Sequence, residues 1–188
     1  MNAQEYVKKG FGQPALWIDF VNSFERDGLG NSADHLRNPR WRKCFLQHWK
    51  LVAPPARPVP LKSLVRLRNL LRSGTEKLSS SKSLSPAELH SLNTAMSVFV
   101  RPQLFQHQNG FALRELPHRE DWRWIAAQIA TSFAKTLAGD PLERVKICPD
   151  LLCRWVFYDK TKGRTRIWCN EKTCGNRNRV RRARAAQT

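Results

Sequence analysis

Residues 147–186 read ICPDLLCRWVFYDKTKGRTRIWCNEKTCGNRNRVRRARAA, and the spacing of the cysteines in this stretch decides how the end of the chain folds. Cys148, Cys153, Cys169 and Cys174 form two C-x4-C pairs separated by fifteen residues. Two close pairs of thiols on either side of a short connection suit one tetrahedral Zn²⁺, each pair reaching the metal from one turn. Four thiolates leave no coordination position for water or substrate, so the expected zinc is structural and not hydrolytic. Arg154–Asp159 and Thr165–Cys169 are rich in β-forming residues around Lys160–Gly163, and they predict a hairpin whose open end gathers the sulfurs. Gly175 is expected to permit a tight turn after Cys174. Trp155, Phe157 and Trp168 are expected to pack over the metal, because so small a module has little else to bury.

Beyond Cys174 the sequence becomes a basic helix carrying Arg177, Arg179, Arg181, Arg182 and Arg184, with no acid among them. Five cations within eight residues repel one another unless a polyanion neutralises them, which points to nucleic acid. The whole chain of 188 residues has a formal charge of +18. Residues 141–188 hold 13 Lys and Arg against 4 Asp and Glu, so about a quarter of the chain carries half of that excess. Such a charge is unlike that of a neutral metabolic enzyme and favours a polyanionic partner. The composition divides the molecule into a helical domain at 1–140 and a metal-stapled module at 141–188.

In the first part, Ala15–Asn22 (ALWIDFVN) is short, apolar and rich in β-branched and aromatic residues, and reads as a buried strand. On a strand Asp19 faces away from Ile18 and Phe20, while Asn22 joins the apolar side. Asn22 is then expected to hydrogen-bond the following loop, with a ligand-sensing role for Asp19 and Asn22 as the alternative. Asn38-Pro39 predicts a helix start, and Trp41, Phe45, Leu46 and Trp49 its buried stripe, ending near Val52 before Pro54, Pro55, Pro58 and Pro60. Cys44 on that helix reads as a core residue. A second stripe runs from Leu61 to Leu71 and dissolves into Ser79–Ser85. Ser85-Pro86-Ala87-Glu88 is a capping box that opens another helix. Asn109-Gly110 within Leu104–Leu116 signals a hairpin, and Asp121–Leu137 a further helix closed by Gly139. Asp140-Pro141-Leu142-Glu143 predicts a turn into the cysteine module. The expected fold is therefore mainly α with a short N-terminal β segment or hairpin, followed by a zinc-ribbon-like module and a basic helix.

The string Trp168-Cys169-Asn170-Glu171-Lys172-Thr173-Cys174-Gly175-Asn176-Arg177 resembles the hallmark of the CGNR zinc finger, with Cys148, Cys153 and Asp159 standing where that family has its first cysteine pair and its Asp. Leu16–Ser23 (LWIDFVNS) resembles the opening of the ABATE domain that accompanies this finger, and Leu67-Arg68-x-x-Leu71 and Leu92-Asn93 match further along. Thr161, Ile167 and Asn178-Arg179 depart from the finger's usual residues, although Arg179 keeps a cation on the helix. The resemblance implies a bacterial, stress-linked transcriptional regulator with a helical domain and a DNA-binding finger.

Double-stranded DNA is accordingly the expected partner, with structured RNA or the ribosome as the alternative. The N-terminal domain is assigned either a small-molecule effector or a homodimer contact. Neither a membrane span nor a signal peptide is legible, Met1–Gly10 being polar, and a reducing cytoplasm and association with the nucleoid follow. His35, His48, His90, His107 and His118 show no triad or metal spacing, and there is no phosphate-binding glycine loop, so no catalytic residue is assigned.

Overall fold

The computed structural model describes residues 11–52, 54, 58–139 and 141–187. Met1–Gly10, Pro55 of the expected helix stop and Asp140 of the expected turn lie outside them. The first element corrects the sequence reading. Residues 15–22 do not form a strand: Leu16–Val21 is a single helix, α1, and all six of its residues are buried. A short apolar run buried on every side has no periodicity to separate strand from helix, and here the surroundings decide. Trp17 donates its indole N–H to Thr136 Oγ1 at 2.9 Å and meets Phe133 edge-on at 4.8 Å. The expected N-terminal β segment follows instead as an antiparallel pair, β1 (Phe24–Arg26) with β2 (Ser32–Asp34).

Helix α2 (Pro39–His48) starts where Asn38 accepts from the backbone N–H groups of Arg40 and Trp41. It ends before the expected Val52, because Trp49 caps it and Lys50 takes a left-handed φ of 51°. Trp41, Phe45 and Leu46 form its buried stripe, whereas Cys44 is only half-buried. Helix α3 (Leu61–Ser79) buries Leu64, Leu67 and Leu71. Helix α4 (Pro86–Met96) has both halves of the capping box between Ser85 and Glu88. Strands β3 (Val100–His107) and β4 (Gly110–Pro117) pair in register around Gln108-Asn109, one residue earlier than the expected Asn109-Gly110 turn. Helix α5 (Trp122–Gly139) is capped by Asp121, which accepts from the N–H groups of Arg123 and Trp124.

Among the described residues two hydrophobic clusters stand out, and the larger one crosses residue 140. The larger one surrounds α1 with residues from α2, α3, α4 and α5, and it also takes in Val156 with Val145, Ile147 and Tyr158. The smaller one is Phe157 with Cys148 and Cys174, flanked by Trp155, Trp168, Cys153 and Cys169. Adjacent residues of one short strand, Val156 and Phe157, thus point into different cores, as the alternation of a strand requires. Among the described residues no helix is long and apolar enough to cross a membrane.

Candidate metal centre and basic helix

The cysteine module has a different hairpin from the one its sequence predicts. Strand β5 (Val145–Ile147) pairs with β6 (Val156–Tyr158), and Thr165–Cys169 is irregular. The first cysteine pair therefore sits in the turn joining β5 to β6, not at the open end of a hairpin. That turn is tight. Cys148 N–H donates to Trp155 C=O at 2.8 Å, and the N–H groups of Cys153 and Arg154 both donate to Asp150 C=O at 2.9 Å. Arg154 takes a φ of 56° to close it.

The second pair flanks another turn. Asn170 accepts from Thr173 N–H through its side chain and from Gly175 N–H through its carbonyl. Wide-turn residues Glu171–Gly175 then run directly into helix α6 (Asn176–Ala185). Gly175 has an ordinary φ of −61°, so its role is space and not the conformational freedom expected of it. A Cβ there would come within 2.8 Å of the Glu171 carboxylate.

The four sulfurs lie within 4.8 Å of one another, with Cys153–Cys169 and Cys169–Cys174 each at 3.6 Å. A tetrahedron with Zn–S bonds of about 2.3 Å has edges of roughly 3.8 Å, whereas a disulfide needs about 2.05 Å. The sulfur set fits one metal ion and no disulfide. Crowding also perturbs the thiols. Hydrogen bonds from Cys153 and Cys169 pull Cys148 far below the ordinary thiol range. Interaction with Cys148 pushes Cys153 and Cys169 up, and burial and the charge of Cys148 do the same to Cys174. A divalent cation would reverse that order by favouring thiolate at all four.

The surroundings of the sulfurs include Asp150 and Lys146, which the sequence reading missed, and Asp159, which the resemblance to the finger had singled out. Asp150, fully buried, accepts from Arg177 Nε at 2.8 Å and Nη2 at 2.6 Å, and its other oxygen caps Leu152 N–H at 3.1 Å. The same Arg177 nitrogen lies 3.2 Å from Cys174 Sγ. Arg177 thus turns inward and fastens α6 to the first knuckle. Although burial opposes ionisation of Asp159, Lys146 at 2.7 Å, the Thr161 hydroxyl and the N–H of Arg166 hold its carboxyl well below the usual range. Lys146 also donates to the carbonyls of Arg164 and Arg166, so the irregular 159–168 loop is organised around one ion pair. For Asp150 the available signal was an acid inside the first C-x4-C pair.

The other arginines of α6 point differently. Arg179 pairs with Glu171 at the surface, Arg181 reaches Asp150 at 4.0 Å, and Arg181, Arg182 and Arg184 are exposed. The expected absence of acids holds along the helix but not around it. Arg179 and Arg182 face the exposed Ile167 and the half-buried Arg166 and Trp168 across a groove.

Asn22 and Asp19, one helical turn apart on or next to α1, are buried among different partners. Asn22 donates to Val156 C=O at 2.8 Å and accepts from Val156 N–H at 2.9 Å, so it joins α1 to β6. Burial pushes Asp19 up to about 8, against a hydrogen bond from the Trp49 indole at 3.2 Å.

A hairpin knuckle and a wide-turn knuckle that bring four cysteines together beside an α-helix define a zinc-finger module, carried on a helical domain. Residues 144–187 match the CGNR zinc finger. Residues 14–140 match the ABATE family, described as "Putative stress-induced transcription regulator". The chain belongs to that family, and its four close cysteines are consistent with one structural Zn²⁺. No curated protein matches the chain closely.

Proposed function

We propose that this protein is a zinc-dependent, DNA-binding transcriptional regulator in which residues 141–188 make the nucleic-acid contact and residues 1–140 position it. Cys148, Cys153, Cys169 and Cys174 are the four ligands in this reading. Bound zinc would cross-link the two knuckles, supplying an apparent ~10–16 kcal/mol of folding free energy that a cluster built on Phe157 lacks. The observation that carries the proposal is the division of labour along α6. Arg177 is spent on Asp150 and Cys174, while Arg179, Arg181, Arg182 and Arg184 keep exposed side chains on a helix so anchored. Exposed guanidiniums on a fixed element are suited to phosphates, and each phosphate they neutralise releases counterions.

A cytoplasmic, nucleoid-associated location follows from this partner. The test is a salt titration of DNA affinity for the zinc-loaded chain and for Arg179→Ala/Arg182→Ala. The variant should bind all duplexes more weakly, and its slope of log K against log salt should flatten by about 0.9 for each phosphate it no longer neutralises. An unchanged slope would remove α6 from the interface. Tighter capture of structured RNA than of duplex DNA at equal salt would instead favour an RNA-binding module.

A further inference from the structure

A cleft of about 400 Å³ lies where the first knuckle meets α3 and β1, apart from α6. It is lined by four arginines, Arg26, Arg68, Arg72 and Arg154, with Glu76 and Cys153. Arg68 is already satisfied: Asp34 takes both its terminal nitrogens, at 2.6 and 3.0 Å, and Ser23 lies at 3.1 Å. Two of the other three share a single carboxylate, and Arg72 also donates to the carbonyl of Arg154. Arg72 and Arg154 each reach Glu76 Oε1, at 3.3 and 3.2 Å. Among the described residues Arg26 has no carboxylate partner and touches only the carbonyl of Leu151, at 3.4 Å. Four guanidiniums against Glu76 and Asp34 leave two positive charges in a recess.

Like charges held together in a partly dehydrated pocket repel strongly. Burial, followed by the charges of Arg154 and Arg26, pushes Arg72 below its usual range against the pull of Glu76. An arrangement of this kind is relieved by a compact dianion, which planar guanidiniums grip in pairs of parallel hydrogen bonds. We propose that this cleft binds a small phosphate-bearing molecule, held between Arg26 and Arg72 of the helical part and Arg154 of the cysteine knuckle. Its volume suits a phosphate group with a modest organic body. Arg72 is only a quarter exposed and too recessed for the backbone of a duplex, which distinguishes this site from the surface arginines of α6. Because Arg154 follows Cys153 directly, the bound anion would reinforce the link that Arg72 and Glu76 of α3 already make to the metal-bearing turn.

The proposal does not rest on DNA binding and is measured without nucleic acid. The full zinc-loaded chain, labelled with ¹⁵N, is titrated with inorganic phosphate and, separately, with glycerol 3-phosphate, chloride holding the ionic strength constant. Saturable movement of the Nε–Hε signals of Arg26, Arg72 and Arg154 is expected in at least one arm, the tighter arm identifying the source of the phosphate. Arg26→Ala removes an exposed side chain, and Arg154→Asn keeps a residue tolerant of the left-handed φ. Each should raise Kd about tenfold or more with zinc content unchanged. Should either variant fail to fold, the signal map of the unaltered chain decides. Linear, unsaturating shifts, or shifts spread over the α6 arginines, would overturn the site. Displacement of bound phosphate by a short duplex would assign the cleft to the DNA track and equally overturn a small-molecule ligand.

Discussion

Asp150 shows how much one carboxylate can organise, since it caps its own turn, receives Arg177 and approaches Arg181. Groups that orient metal ligands from behind typically account for 10–100-fold in metal affinity. Asp150→Ala should therefore weaken zinc binding by about that factor, measured by competition with a chromogenic chelator. Asp150→Asn, which can still cap Leu152, should lose less. Asp19 gives a prediction of opposite kind. Its folded value of about 8 lies above the ordinary carboxyl value of 3.8, so the folded chain holds a proton that the unfolded chain has released between those pH values. The contribution of Asp19 to stability is full below about pH 4, falls as pH rises towards 8 and is flat beyond. Denaturant melts of Asp19→Asn should show less loss of stability over that window than the unaltered chain. At this scale the gathering of the four cysteines was legible, because the spacing of close pairs of one residue type already implies that they meet. Asn22 was not, because its partner Val156 is 134 residues away and no local pattern points to it.

Elements were legible where their ends carry chemistry. Ser85 and Glu88 marked a helix start through reciprocal capping, and Asn38-Pro39 did so through a side-chain cap and a proline. Leu16–Val21 offered only six residues, five of them apolar, without a side-chain cap, and its helical state comes from α3, α5 and β6 packed around it. The finger's hairpin was misplaced for a related reason. Val145–Ile147 is as short and apolar as Thr165–Cys169 is β-prone, and Lys146 and Arg166 settle the choice by tying the later segment into a loop around Asp159. The β1–β2 loop offers a direct test of contact between the two parts. Gly28 sits at a φ of 80°, donates its N–H to Leu152 C=O at 3.1 Å, and leaves no room for a Cβ beside the Arg177 guanidinium. Gly28→Ala should cost about 1–3 kcal/mol in a denaturant melt and lower zinc affinity through Arg177, although the loop lies far in sequence from the four clustered cysteines.

On the scale of the molecule, the charge map was readable from composition, whereas the packing of β5 and β6 against the helical core was not. Val156 belongs to the core around α1, Phe157 to the core beside the sulfurs, and Arg154 and Glu76 bridge the parts at the surface. Zinc removal should therefore lower the melting temperature of the whole chain in one cooperative step monitored by helical circular dichroism. Survival of the helical signal at its original temperature after chelation would restore the view of two independent units. The two hydrogen bonds between Asn22 and Val156 carry a further implication, for biosynthesis. During translation, the first helix emerges with a buried amide whose partner strand is made only after some 130 further residues. Closing contacts of that span is slow, and an incomplete core exposes apolar surface meanwhile. The nascent helical domain cannot complete its core until the strand that follows the first cysteine pair has been made.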